Sequence, residues 1–347
     1  MDSFFSPGRA FIVAELSANH GQRLETALAV VRAAKESGAD AIKLQTYTPA
    51  SITLDCDNEY FQVRHGTIWD GTTLYRLYQE TYTPREWHAP LQAAAVEAGL
   101  VFFSTPFDFS AVDFLQGLQV PLYKVASCEL VDLPLIRKVA QTGKPAVMST
   151  GMATLGEIDE AVRAFRGAGG QELALLKCTT AYPARPEEMN LRTIPHLAQA
   201  FGVPVGLSDH TLGTAVPVAA VALGACVIEK HLTLSRAAGG PDSAFSLEPA
   251  EFKAMVEAVR VAERALGRVN YEATAREQAS RAFRRSLFVV QDMNAGEVFT
   301  DQNVRSIRPG QGLPPKHLAE VLGRCASQAI ARGTPLRWDL VTGSTAR

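Results

Sequence analysis

The sequence predicts an α/β fold, a (β/α)8 barrel of the TIM type, followed by a small β-rich module. Eight short apolar runs begin near positions 11, 41, 101, 122, 146, 173, 204 and 226, and each leads into a stretch with helical spacing. Such alternation with short turns implies a parallel sheet, and eight units are the number that closes a barrel. An open doubly wound sheet would carry a glycine-rich dinucleotide turn after its first strand, and ELSANHG at 15–21 is not one.

The elements follow in order. The first strand, 11–14, ends in Glu15, and a helix over 24–37 stops at Gly38, a glycine just past its end. The strand over 41–44 closes on Lys43, Gln45 and Thr46. The rhythm then breaks over 49–82, a polar, aromatic-rich stretch read as an irregular, functional insertion. It resumes with helix 84–98 and strand 101–104, ending in Thr105. Strand 122–125 ends in Ser127, Cys128 and Glu129, strand 146–148 in Ser149, and strand 173–176 leads to Tyr182. The stretch 203–234 carries two runs that end on Ser208-Asp209-His210 and Lys230-His231, with a helix over 212–222 between them. Parallel strands place those two histidines side by side at one rim. The last strong amphipathic helix is 249–266.

The barrel is expected over 1–266, a charged linker over 267–282 and the module over 283–347, with a disordered tail at 342–347. Inside the module Met293…Gly296…Val304 recurs as Ile330…Gly333…Val341, which predicts two similar halves.

Composition narrows the function. The 347 residues are 47% hydrophobic with a net charge of −2, so the chain reads as soluble and carries no electrostatic footprint for nucleic acid. No apolar run approaches about 20 residues, so nothing is expected to span a membrane. MDSFFSPGRA lacks a signal-peptide pattern, and five scattered cysteines without C-x-x-C indicate a reducing, cytoplasmic setting. Cys128, Cys178 and Cys226 fall in or just after apolar runs, where thiols are expected to be buried.

In barrels of this kind the site lies at the carboxyl ends of the strands. Lys43 and Lys124, with Thr105, Ser127, Ser149 and Ser208, suit a small phosphorylated or carboxylated anion. The competing reading pairs these lysines with Glu15 and Glu129 as internal salt bridges. His210 and His231 suit a divalent metal such as manganese, left with open positions for a substrate. Asp242 and Glu129 are candidates for further ligation or acid–base work, and Glu15 for orienting a hydroxyl. A Schiff-base aldolase and a carbohydrate-binding protein are the rivals from other classes. Covalent trapping with borohydride and phosphate release separate them.

The motifs AELSANH, IKLQTY, STPFD, KVAS, STGMA, CTTAYP, GLSDHT, EKHLTL and the RPGQGLPP segment occur in succession. On these the chain resembles the sialic acid synthase family along nearly its whole length. TIWDGTTLYRLYQETYTP at 67–84 and GGPDSAFSLEP at 239–249 resemble its pseudaminate-forming branch. The resemblance implies condensation of phosphoenolpyruvate with the open-chain aldehyde of 2,4-diacetamido-2,4,6-trideoxy-altrose, releasing phosphate with C–O cleavage. A neuraminate- or legionaminate-forming enzyme, using another acetamido sugar, is the alternative. The resemblance also implies Mn2+, with Mg2+ or Co2+ as substitutes, on His210 and His231. Phosphoenolpyruvate would lie on Lys43, Thr105, Lys124, Ser127, Ser149 and Ser208, with Gln45 and Tyr182 lining the site. Glu15 and Glu129 would flank the reacting water and sugar hydroxyls, and Asp242 the sugar. The module resembles the antifreeze-like SAF domain, which in the family crosses to the partner barrel of a domain-swapped homodimer and delivers Arg308 to the sugar. Thr180 and Ser243 stand where neuraminate-forming relatives often carry Asn and His, and Tyr60, Phe61 and Trp69 are expected to wall the altered sugar pocket.

Overall fold

The computed structural model describes residues 4–5, 8–64 and 66–343. The chain divides into two units, one ending at Gly267 and one starting at Arg268. The first is a closed parallel barrel whose strands pair in sequence order. They are β1 (Phe11–Glu15), β2 (Ala41–Thr46), β3 (Val101–Pro106), β4 (Tyr123–Val125), β5 (Ala146–Ser149), β6 (Leu173–Cys178), β7 (Val205–Asp209) and β8 (Val227–His231). β8 closes on β1, with Glu15 opposite His231. All eight expected strands are present. They are legible because each is a short buried run, and several are followed by a helix-initiating signal. Asp108 after β3 accepts from the Ala111 N–H, Asp132 after β4 from Leu135, and Thr154 after β5 forms a capping box with Glu157.

The core has two layers. Ile12, Ile42, Tyr123, Met148 and Ile228 pack outward with the helices, while Val13, Phe103, Val147, Leu176 and Val227 share a second cluster. Successive strand residues thus serve opposite faces, as a pleated strand requires. Gly206 in β7 has a steric role. A Cβ there would lie 2.4 Å from the Val227 carbonyl oxygen and 2.7 Å from the Leu176 side chain. β7 therefore approaches β8 only because this position has no side chain.

Two expectations need correction, and a third stretch gains detail. The insertion is not irregular throughout, because Leu74–Thr81 is a helix capped by Thr73. Its aromatic residues are half-buried at helical spacing, a period hidden by the polar residues between them. The stretch expected to be a charged linker, 267–282, contains a short helix. Thr274 and Glu277 form a capping box that starts the helix Ala275–Ser280, which belongs to the second unit. Cys178 and Cys226 are buried, but Cys128 is exposed, because its apolar run ends three residues earlier at Val125.

The second unit is built of β9 (Ser286–Val289) with β10 (Val304–Ile307), and β11 (Cys325–Ala326) with β12 (Val341–Thr342), each pair antiparallel. The internal repeat is structural. Met293 and Ile330, the leading residues of the two copies, bond to each other, N–H to carbonyl in both directions at 2.9 and 2.8 Å. The repeat valines, Val304 and Val341, open β10 and β12, and Gly296 and Gly333 both take left-handed φ, 79° and 89°. Two equivalent halves thus share one small core around Leu287, Phe299 and Leu336. Of the tail expected to be disordered, Thr342 lies in β12 and residues 344–347 lie outside the described residues.

Gly206→Ala is expected to cost about 1–3 kcal/mol, the usual penalty for overpacking a barrel this tight, read as a lower urea midpoint at unchanged slope.

Candidate active site

The polar side chains converge where the sequence places them, at the carboxyl ends of the strands. Lys43, from β2, lies opposite Glu15, from β1, and its Nζ is 2.7 Å from the Glu15 carboxylate. The same ammonium donates to the Thr105 hydroxyl at 3.1 Å and sits 3.9 Å from Glu229 of β8. Lys124, from β4, donates to both oxygens of Glu229, at 2.8 and 3.0 Å, and Ser208 donates to Glu229 at 3.2 Å. Two ammoniums and two carboxylates thus meet in one cluster, each less than a tenth exposed.

The alternative reading of the lysines is half right. Lys43 does pair with Glu15, but Lys124 pairs with Glu229, not with Glu129. Glu229 was missed, although a signal was present. It stands two residues before His231 in one strand, and that spacing puts both side chains on the same face.

The cluster's protonation is uneven. Burial raises the Glu15 carboxyl above the ordinary range, against the pull of Lys43. Burial pushes Glu229 the same way, but the Lys124 and Lys43 charges outweigh it and hold that carboxyl low. Lys124 is lowered by burial despite Glu229, whereas for Lys43 the two carboxylates outweigh burial and raise it.

Hydroxyl donors surround the lysines. The Ser149 Oγ is buried with no hydrogen-bond partner among the described residues. Ser127 Oγ accepts from the Gly151 N–H at 3.1 Å and also bonds the Cys178 side chain. A Cβ on Gly151 would lie 2.7 Å from that oxygen and 2.1 Å from Thr180 Oγ1, so the glycine permits the contact. Glu129 stands off from the cluster. Its Oε2 is buried with no hydrogen-bond partner among the described residues, and burial raises its carboxyl to about 7.

His210 and His231 lie beside each other, ring centroids 5.3 Å apart. His210 Nδ1 donates to the Thr179 carbonyl at 3.0 Å, which fixes the ring. His231 Nδ1 is buried and has no hydrogen-bond partner among the described residues. No third His, Cys, Asp or Glu joins them around a common point among the described residues. Asp242 in particular is committed elsewhere, accepting from Ser17 Oγ at 2.5 Å and the Ala18 N–H at 3.2 Å. This carboxylate holds the loop after β1, where Ser17 takes φ 46°, and Gln45 donates to Ser17 at 3.0 Å and to Glu15 at 3.2 Å. Two imidazoles with an orphaned nitrogen fit a divalent cation whose remaining positions go to substrate and water.

An aromatic wall stands over the histidines. Tyr182 lies 4.5 Å from the His210 ring and Phe245 4.9 Å from that of His231. Trp69, from the insertion, packs on Tyr182 at 5.2 Å and donates its indole N–H to the Pro241 carbonyl at 3.0 Å. The expected wall is therefore present but differently composed. Trp69 belongs to it, Phe245 was not foreseen, and Tyr60 is 80% exposed. Arg308 lies in the second unit, exposed, at the start of the loop-forming run that follows β10.

Comparison with known proteins agrees with this construction. The family model described as the NeuB family matches residues 30–271, and that of the SAF domain matches 284–342. Pseudaminic acid synthase of Helicobacter pylori is 46% identical over 332 residues, covering 94% of this chain and 96% of that one. Pseudaminic acid synthase of Campylobacter jejuni is 46% identical over 335 residues, covering 96% and 97%. Among solved structures, the N-acetylneuraminic acid synthetase of Leptospira borgpetersenii in complex with citrate has a TM-score of 0.70 and 30% identity, covering 78% of this chain and 90% of that one. The chain belongs to the NeuB family, with a SAF domain as its C-terminal module.

Proposed function

We propose that the barrel mouth condenses phosphoenolpyruvate with the open-chain aldehyde of 2,4-diacetamido-2,4,6-trideoxy-altrose, forming a nine-carbon α-keto acid and free phosphate. The observation that carries this is the buried Lys43–Glu15–Lys124–Glu229 cluster set beside a histidine pair. One side is built for a compact anion and the other for an electrophile. The choice of sugar rests on the 46% identity to pseudaminic acid synthases and on the aromatic wall, which suits a sugar lacking a 6-hydroxyl.

Lys43 and Lys124 hold the phosphate and carboxylate of phosphoenolpyruvate, with Thr105, Ser127, Ser149 and Ser208 donating to the same oxygens. Binding an anion here means Glu229 shares its lysines. Gln45 and Tyr182 line the space between the two substrates, and Asp242 keeps the first loop in place at the sugar end. His210 and His231 would hold Mn2+, or Mg2+ or Co2+ in its place, and the cation would supply Lewis acidity to the aldehyde oxygen. The nucleophilic C3 then bonds to the aldehyde carbon, and the aldehyde oxygen takes a proton from solvent water. C2, left electron-poor, takes up water, and the water's proton passes to Glu129. The C2–O bond to phosphate breaks, the proton of the new C2 hydroxyl passes to the departing phosphate oxygen, phosphate leaves on the lysines, and the keto group forms. We also place this protein in the cytoplasm. Among the described residues no helix is long and apolar enough to cross a membrane, and the SAF module is taken to serve the partner's barrel, where Arg308 reaches the sugar.

Phosphate release should require both substrates, cease with chelator and return with Mn2+. It should occur with the diacetamido altrose and not with N-acetylmannosamine, and chelator-insensitive turnover would remove the metal assignment. Turnover of N-acetylmannosamine or the legionaminate precursor at comparable kcat/KM would move the enzyme to the alternative branch.

The base form of Glu129 exists above its raised value of about 7, so wild-type kcat should climb as pH rises through that value. Glu129→Gln should lose about 10²–10⁴ in kcat, a typical general-base contribution, and show no such limb, with KM for phosphoenolpyruvate unmoved. A limb that persists in the variant assigns the titration to another group.

Mixing inactive His210→Gln with inactive Arg308→Ala should restore activity, because a mixed dimer pairs one intact barrel with one intact Arg308. Random exchange gives about a quarter of the wild-type sites in a symmetric dimer. No restoration after subunit exchange would place Arg308 in its own barrel or outside the site.

A further inference from the structure

The histidine pair is held from behind by a second ion pair that takes no part in the substrate cluster. β7 and β8 run in parallel with Ser208 opposite Glu229 and Asp209 opposite Lys230. The pleat sends these two pairs to opposite faces. Ser208 and Glu229 bond to each other on the cluster side, at 3.2 Å. On the other side Lys230 Nζ is 2.6 Å from Asp209 Oδ2, and both side chains are fully buried, 0% exposed. The histidines are the next residue along each strand.

The remaining bonds of this pair all close on the chain around His210. Asp209 Oδ1 accepts from the Thr211 N–H at 2.9 Å and from its hydroxyl at 2.8 Å. The Lys230 ammonium also donates to the Thr211 carbonyl. Residues 209 and 211, the two neighbours of His210, are therefore both tied to the residue that precedes His231. His210 is anchored by the Thr179 carbonyl and by the Cys178 side chain, while His231 Nδ1 has no hydrogen-bond partner among the described residues. Both partners of His210 lie at the end of β6, so neither ties it to the strand that carries His231.

A buried ion pair is a poor choice for stability alone, since apolar residues of similar volume serve as well. Its value is geometric, because the charges demand one separation. We propose that Asp209, Lys230 and Thr211 form a positioning clamp that fixes the spacing of His210 and His231 for cation binding. The clamp rests on the metal reading above. It acts through the backbone of two strands and touches no substrate.

The test uses the full chain with Mn2+ alone as the probe, titrated by calorimetry without substrates. Removing one charge would strand the other in the interior, so the variant is the double exchange Asp209→Asn with Lys230→Met. It is neutral overall, changes no net charge, and keeps an acceptor for Thr211. A folded double variant should bind Mn2+ about tenfold to a hundredfold more weakly, the range seen when groups behind metal ligands are lost. Its KM for phosphoenolpyruvate should stay within about twofold, because the Lys43–Lys124 side is untouched; a structural defect would move both. Should the double variant fail to fold, Thr211→Val decides: it removes only the hydroxyl bond to Asp209 and should still weaken Mn2+ severalfold. His210→Gln separates the two ideas. Wild-type chain that takes up no Mn2+, or takes it up equally well after His210→Gln, removes the metal site and the clamp together. Binding lost in His210→Gln but unchanged in the folded double variant, or in Thr211→Val where that variant decides, removes the clamp alone.

Discussion

The mouth of this barrel depends on four charges that cannot leave one another. Lys43, Glu15, Lys124 and Glu229 are buried at the ends of β2, β1, β4 and β8, within 2.7 to 3.9 Å of their partners. Taking a carboxylate and an ammonium out of water costs several kcal/mol each after relaxation, and pairing offsets this only when geometry is good. Four strands must therefore end at matching heights for the cluster to exist. The closed register of the barrel supplies those heights, so the fold and the cluster are one constraint seen from two sides. The cluster is also neutral in sum, which means an arriving anion meets charges already committed. It is received by redistribution: Glu229 yields some of its hold on the lysines.

Parity along the strands decides which residues join. Lys43 and Gln45 share the inward face of β2, as Glu229 and His231 share that of β8, because each pair is two apart. The intervening Lys230 turns the other way and meets Asp209. One short segment, Glu229-Lys230-His231, thus serves three purposes in alternation: a counter-charge, a tie to the next strand and an imidazole. Reading this segment only by its last residues, as a polar strand end, loses two of the three.

The same parity explains what could be read without coordinates. The eight strands were legible because buried runs, glycines past helix ends and capping residues punctuate them. Lys43, Lys124, His210 and His231 were legible because polar groups at strand ends have one place to go. The partner of Lys124 was not, since Glu129 and Glu229 are equally plausible by residue type and only the closed ring puts Glu229 across from β4. Trp69 and Tyr60 likewise share composition and sit in the same insertion. Whether an aromatic ring turns inward there depends on a fold without period: Trp69 bonds to Pro241 while Tyr60 stands in solvent.

This division has a chemical counterpart. The anion cluster and the histidines come from strands, whose register allows almost no drift, and they face the atoms that change bonds in the proposed reaction. The aromatic wall comes from loops: Trp69 from the long insertion, Tyr182 after β6, Phe245 after β8. Its rings touch one another and the histidines, not the lysines, so a change there alters the space at the electrophile without disturbing the nucleophile's seat. Thr180 and Ser243 occupy the same loops. A family that varies its sugar while keeping phosphoenolpyruvate needs that separation, because a pocket sharing walls between both substrates could not change one without misplacing the other. In this chain β7 and β8 serve both halves, since two positions of spacing join Ser208 to His210 and Glu229 to His231.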